Sequence, residues 1–192
     1  DWYATEALKD ELLPTEKIAI SKTRLYYCCP IDHVIIGRML LGFFVAETMQ
    51  NRSAKPGQIS ASIGIEPDDG TLKALADVSK DNDRATMDQK GWDNNQFWAI
   101  AEHEADAINE WYPKSETPEI KLARKTYLMS NYNMLYAVGN YIYMLSFGQV
   151  SGGFFTSPGN TFYLEGTFIA AFTQLLRRKF PNEPGTLVRW TP

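Results

Sequence analysis

Apolar residues return at helical spacing from Asp32 to Met49, and the repeat closes at Asn51. That spacing predicts one long helix. A second amphipathic pattern, from Asn94 to Trp111, predicts another helix stopped by Pro113. A third is expected over Pro118–Asn133 and a fourth from the glycine-rich stretch Ser151–Asn160 to about Phe180. Residues 5–12 read as a short helix ended by Pro14, and Thr71–Ser79 as another. Period-two alternation with β-branched and aromatic residues predicts strands at Lys17–Tyr27, Ile59–Ile65 and Arg84–Asp88. Tyr136–Phe147 has strand composition, with a hairpin expected at Gly139-Asn140. Pro56-Gly57 and Glu66–Gly70 mark turns, and a last strand is expected to start near Leu187. Helices and strands mix without a regular βαβ rhythm, so the class is α+β.

Composition adds boundaries. The chain has 192 residues, 44% hydrophobic and 22% charged, enough to fill a core. No apolar run approaches the ~20 residues of a membrane span. The chain has no initiating Met and no leader-like start, and it stops abruptly at Pro192, so it is expected to be a piece of a longer protein. Its cysteines, Cys28 and Cys29, are adjacent, which rules out a disulfide framework and fits a reducing compartment. No spacing of Cys and His supports zinc. The net charge of -4 argues little for a polyanionic partner until it is divided along the chain. Residues 1–60 balance at 0, residues 61–120 at -9 and residues 121–192 at +5. An acidic middle between less acidic ends suits a cation site inside a nucleic-acid binder, and equally an acidic surface helix.

Three constellations carry candidate chemistry. Asp88 ends a predicted strand and Asp93 follows five positions on, just before a long helix. A carboxylate fixed at a strand end can anchor a hard cation; the competing reading is that Asp93 merely caps the helix. Ser151-Gly152 opens a glycine-rich loop, followed by Thr156 and Asn160, which are four apart and share a helix face. The competing reading there is a linker with a helix cap. Lys9-Asp10-Glu11-Leu12, Lys17, Lys22 and Arg24 string cations along a predicted strand, a ladder able to hold a triphosphate. The competing reading is a solvated surface strand.

Taken in order along the chain, these patterns resemble the fingers motif, motif A and motif B of picornavirus-like RNA-dependent RNA polymerases. Asp88-x4-Asp93 is similar to motif A, and Ser151-Gly-x3-Thr156-x3-Asn160 to motif B at each fixed position. Ser62-Ile-Gly-Ile-Glu-Pro67 and the apolar helix around Arg38 also resemble the family. Leu13, Val150 and Pro158-Gly159 depart from its usual residues and point to a divergent lineage.

The resemblance implies a right-hand polymerase fold, with fingers at 1–40 and 132–150 and palm at 41–131 and 151–192. It implies Asp88 as the Mg²⁺ (or Mn²⁺) ligand. Asp93, Asn160 and Thr156 would sense the ribose 2′-hydroxyl, the group that distinguishes RNA from DNA. Ser151 and Gly152 would form a flexing loop. Lys9, Lys17, Lys22 and Arg24 would hold the triphosphate. The implied partners are RNA template and primer, nucleoside triphosphates and the remainder of a viral polyprotein, in host cytoplasm at replication complexes. The other readings are a reverse transcriptase, which usually carries a bulky aromatic at the position of Asp93, and a non-catalytic RNA-binding scaffold. The family's Gly-Asp-Asp should follow the motif B helix, and Asp68-Asp69 lies upstream of motif A and cannot replace it. The 192-residue piece alone is therefore expected to be inactive.

Overall fold

The computed structural model describes residues 3–20, 24–54, 68, 70, 73, 76, 77, 80, 89–144 and 148–181. The segments expected as strands at Ile59–Ile65, at Arg84–Asp88 and near Leu187 lie outside them, as does the turn at Pro56-Gly57. The described elements are β1 (Tyr3–Leu8), α1 (Thr15–Ala19), β2 (Leu25–Cys28), α2 (Ile31–Ala54), a 3₁₀ turn (Trp92–Asn95), α3 (Trp98–Trp111), α4 (Pro118–Ser130), β3 (Leu135–Val138), β4 (Tyr141–Met144) and α5 (Thr156–Lys179). They are mixed α and β, as the α+β expectation has it. The chain divides into two compact units, one of Asp1–Leu41 with Gly91–Thr156 and the other of Gly42–Lys90 with Ser157–Pro192.

The first unit is built on a four-stranded sheet in the order β2-β1-β3-β4. β1 runs antiparallel to β2, with Thr5 opposite Cys28 and Leu8 opposite Leu25. On its other side it runs parallel to β3, with Tyr3 opposite Leu135 and Thr5 opposite Ala137. β3 and β4 form the expected hairpin, and Gly139 turns it at φ 57°, a conformation that L side chains adopt at a cost. Ala4, Met134, Tyr136 and Val150 form a buried cluster on this sheet, joined by Tyr27, Cys29 and Tyr143. The Tyr27 and Tyr136 rings meet edge to face at 4.4 Å, a favoured aromatic geometry.

Residues 5–12 were expected as a helix, and Tyr3–Leu8 is a strand instead. Its Ala, Glu and Leu favour a helix in isolation, but pairing on both sides outweighs a propensity worth only tenths of a kcal/mol per residue. The expected strand Lys17–Tyr27 is split. Thr15–Ala19 is a one-turn helix started by Pro14, whose carbonyl accepts from Lys17 N–H at 2.9 Å, and Leu25–Cys28 is the strand. Pro14 fixes φ at −56° and leaves its carbonyl free to open the turn, which the alternation of Ile18 and Ile20 does not reveal.

α3 and α4 pack side by side, held through Arg124. This guanidinium is 2% exposed. Its Nη1 and Nη2 donate to both Glu116 oxygens at 3.0 and 2.8 Å, Nη1 also donates to Asn109 Oδ1 at 2.8 Å, and Nε donates to the Leu40 carbonyl at 3.1 Å. It lies 3.4 Å from the centre of the Tyr112 ring, whose hydroxyl donates to the same Leu40 carbonyl. Gly37 on α2 completes the contact with α4, since a Cβ there would overlap the Tyr127 hydroxyl. In the second unit, Phe44 of α2 packs on Phe162 of α5, with ring centres 5.2 Å apart. Among the described residues no helix is long and apolar enough to cross a membrane.

Candidate nucleotide site

The cationic segment is held by the β1–β2 pair, extended by a hydrogen bond from Lys9 N–H to the Arg24 carbonyl at 2.9 Å. That bond brings Lys9 and Arg24 side by side, and Glu11 sits between them. One Glu11 oxygen is 3.3 Å from both Lys9 Nζ and Arg24 Nη1. Glu11, Leu12, Leu13, Pro14, Lys17 and Arg24 line a cavity of about 160 Å³. Lys17 reaches it from the α1 turn, so the cations do not form the expected ladder on one extended strand. Lys22 lies outside the described residues. Glu11 lies within the segment read from the sequence, but no role was expected of it. A carboxylate between two cations is the signal that could have singled it out, because it sets their spacing when no anion is bound.

Asp93 sits in the 3₁₀ turn that begins after Gly91, which has φ 63°. Asn95 Nδ2 donates to the Gly91 carbonyl at 2.9 Å and closes the turn. Gln96 and Phe97 are extended, and α3 begins only at Trp98 with Phe97 as its N-cap. The single helix expected over Asn94–Trp111 is thus two pieces, and Asp93 is not the cap of α3. The break aims the turn at the segment before Ser151. Gln149 N–H donates to the Asp93 carbonyl at 2.8 Å and Gly148 N–H to the Gln96 carbonyl at 3.1 Å. Tyr136, buried beside them, has its hydroxyl pKa raised well above the usual tyrosine value by burial first, then by Tyr27, Cys29, Tyr143 and the charge of Asp93. Its phenol is therefore neutral at any working pH.

The loop from Ser151 leads into α5. Thr156, the first residue of α5, closes it: the hydroxyl donates to the Val150 carbonyl at 2.7 Å and accepts from Gly153 N–H at 3.0 Å. Val150 N–H donates to the Asn131 carbonyl at 2.9 Å, tying the loop to the end of α4. A Cβ on Gly152 would collide with the Tyr27 carbonyl of β2, so this glycine permits a close approach of two backbones. Ser151 Oγ is enclosed and has no hydrogen-bond partner among the described residues. Asn160 lies one turn beyond Thr156 on α5, in the second unit. Pro158 fits because it stands in the first turn, where no intrahelical N–H is required.

In the first unit the geometry therefore joins Asp93, Ser151, Gly152 and Thr156 through one hydrogen-bonded loop, and separately gathers Lys9, Lys17 and Arg24. Asp88 lies outside the described residues. Among the described residues no three His, Cys, Asp or Glu side chains come together as a metal cage. What this arrangement does is positional: it fixes the backbone of the Asp93 turn against the segment that leads into Ser151.

The viral RNA-dependent RNA polymerase family matches residues 1–182. A replicase polyprotein of acute bee paralysis virus (strain Rothamsted) is 31% identical over 181 residues, covering 94% of this chain and 9% of that protein. A genome polyprotein of Cosavirus A (isolate Human/Pakistan/0553/-) is 46% identical over 61 residues, 32% of this chain and 3% of that protein. Among solved structures, a Sicinivirus 3Dpol RNA-dependent RNA polymerase superposes with a TM-score of 0.68 at 26% identity, covering 86% of this chain and 35% of that one. The chain thus spans a small part of its curated relatives and about a third of the solved polymerase. With the family match running over nearly its whole length, this chain belongs to the viral RNA-dependent RNA polymerases.

Proposed function

We propose that this chain is the fingers and part of the palm of a viral RNA-directed RNA polymerase that copies a positive-strand genome. The reaction joins a nucleoside triphosphate to an RNA 3′-hydroxyl and releases pyrophosphate. The observation that supports this reading is the hydrogen bond from Gln149 N–H to the Asp93 backbone carbonyl, which ties the turn carrying Asp93 to the segment that leads into Ser151-Gly152. Asp93, Thr156 and Asn160 are the side chains assigned in this proposal to sensing the ribose 2′-hydroxyl. Lys9, Lys17, Lys22 and Arg24 hold the triphosphate and offset charge as it develops. Asp88 would supply one carboxylate to a Mg²⁺ or Mn²⁺ ion, and such an ion, when bound, would supply electrostatic stabilisation of the reacting phosphoryl oxygens.

The chain spans about a third of the solved polymerase it matches, and the remaining metal ligands and the thumb are assigned in this proposal to the longer polymerase chain. Fingers take residues 1–40 and 132–150, and palm takes 41–131 and 151–192. RNA template and primer, nucleoside triphosphates and the rest of the polyprotein are the partners, and host cytoplasmic replication complexes are the location. The test is primer extension by the full-length polymerase on an RNA template, with ribo- and deoxyribonucleotides side by side. Ribonucleotide incorporation that is lost in Asp88→Ala, and that loses its ribose preference in Asp93→Ala, is the expected result. A wild-type preference for deoxyribonucleotides would overturn the reading in favour of a reverse transcriptase.

A further inference from the structure

Three consecutive backbone donors leave the segment before Ser151 and reach separate anchors. Gly148 N–H meets the Gln96 carbonyl at 3.1 Å, Gln149 N–H the Asp93 carbonyl at 2.8 Å and Val150 N–H the Asn131 carbonyl at 2.9 Å. In an extended chain, adjacent N–H groups point to opposite sides. Gly148 and Gln149 nevertheless both serve carbonyls of the single segment Trp92–Gln96. The alternation is broken at Gly148, whose φ is 89°, a region that side chains with a Cβ enter only with strain.

The side chain of Gln149 sharpens the point. It is 4% exposed, and neither its amide oxygen nor its amide nitrogen has a hydrogen-bond partner among the described residues. Burying an unpaired amide is unfavourable. The residue is held there by its backbone against that cost, and such local cost concentrates at functional positions. Downstream, Gly152 is pressed against the Tyr27 carbonyl and Thr156 closes the loop onto Val150. The loop that carries Ser151 is therefore fixed in its middle and at its end, and its start is fixed by the two donors to the Asp93 turn.

We propose that Gly148 and Gln149 form a positioning clasp that sets the separation of Asp93 and Ser151, and through it the selection of ribo- over deoxyribonucleotides. The proposal rests on the polymerase reading. Neither residue touches substrate. Gly148 makes the geometry possible and the Gln149 N–H makes the bond. Loosening the clasp lets the Asp93 turn drift from the hydroxyl-bearing loop, so the contact to a 2′-hydroxyl weakens while contacts to the triphosphate and template remain. A 2′-deoxynucleotide never makes that contact and loses nothing.

The experiment uses the full-length polymerase on an RNA primer–template and compares kcat/KM for one nucleoside triphosphate with that for its 2′-deoxy counterpart. Gly148→Ala strains the positive-φ position. A second variant replaces Gln149 by its α-hydroxy acid, which changes the backbone N–H to an ester oxygen and leaves φ and the side chain as they are. In both, the ribo-to-deoxy ratio is expected to fall by about tenfold, the factor that ~1.4 kcal/mol of transition-state discrimination represents. A purely structural loss would lower both substrates together and leave the ratio unmoved. If Gly148→Ala does not fold, the ester variant decides. A wild-type ratio favouring ribonucleotides that persists in the ester variant would overturn the clasp alone. Absence of RNA-templated synthesis by the wild-type polymerase would overturn the polymerase reading and the clasp together.

Discussion

Consider replacing Arg124 by alanine. Four hydrogen bonds leave with the guanidinium: two to Glu116, one to Asn109 and one to the Leu40 carbonyl. The Leu40 carbonyl keeps the Tyr112 hydroxyl as a donor, so it is not orphaned. The Glu116 carboxylate is 20% exposed and regains some water, which lowers its cost below that of a fully buried ion. Breaking a buried pair from one side costs about 3–5 kcal/mol, and the partial exposure of Glu116 places this case near the lower end. Loss of the face contact with Tyr112, 3.4 Å from the ring centre, adds about 1 kcal/mol. The expected total is about 3–4 kcal/mol. Arg124→Lys keeps the charge but not the fork and should cost about 2 kcal/mol. Urea denaturation followed by tryptophan fluorescence measures this, because Trp111 stacks edge-on against Tyr112 and reports on the same contact. A double-mutant cycle with Glu116→Ala should return a coupling of at least ~1.5 kcal/mol. An Arg124→Ala cost below about 1 kcal/mol, or additive single mutants, would refute the assignment of this network as a stabilising buried tie of α4 to Glu116, Asn109 and Leu40.

Two further outcomes follow from the same geometry. Glu104 has its pKa raised to about 8 by burial, partly offset by the Tyr132 hydroxyl donating to Oε2, while Oε1 is enclosed with no partner among the described residues. Between the unfolded value near 4.5 and about 8 the folded state holds the extra proton, so this residue makes stability fall as pH rises through that window. Glu104→Gln should therefore be more stable than the parent by about 4 kcal/mol at pH 8 and by less than ~1 kcal/mol at pH 5, with equal differences at both pH values counting against the shift. Gly152→Ala pushes a methyl into the Tyr27 carbonyl and should destabilise by about 1–3 kcal/mol, whereas Gly42→Ala, in the interior of α2 with nothing within 4 Å among the described residues, should stabilise by ~0.5–1 kcal/mol. Thermal melts of the pair check this, and two shifts of the same sign would contradict it.

Long amphipathic patterns were readable from the residues: α2, α3 and α4 begin and end within a few positions of where periodicity and proline put them. The Gly139-Asn140 hairpin was readable too, because turn chemistry is local. β1 was not, since its identity is decided by partners that lie far along the chain. Lys17 was misplaced for a related reason: a single Pro14 outweighed the alternation around it. At the site, letter spacing singled out Asp93, Ser151, Gly152 and Thr156, which the backbone does gather. It gave no role to Glu11, Gly148, Gln149 and Arg124. Each of these acts through a contact to a residue distant in sequence, and no period or motif encodes such a contact.

The parallel pairing of β1 with β3 has a consequence for synthesis. Tyr3 meets Leu135, 132 positions later. At about 5–20 residues per second a ribosome takes roughly 7–26 s to supply that partner. Until then β1 has β2 alone, and a two-stranded ribbon is marginal in water. α3 and α4 emerge before β3 and can associate through Arg124 as soon as they do, because their contacts are local. The nascent chain thus carries an open strand edge while the helical pair matures. A substitution that weakens that pair should show first as a poor soluble yield, before any change in the chemistry of the finished protein.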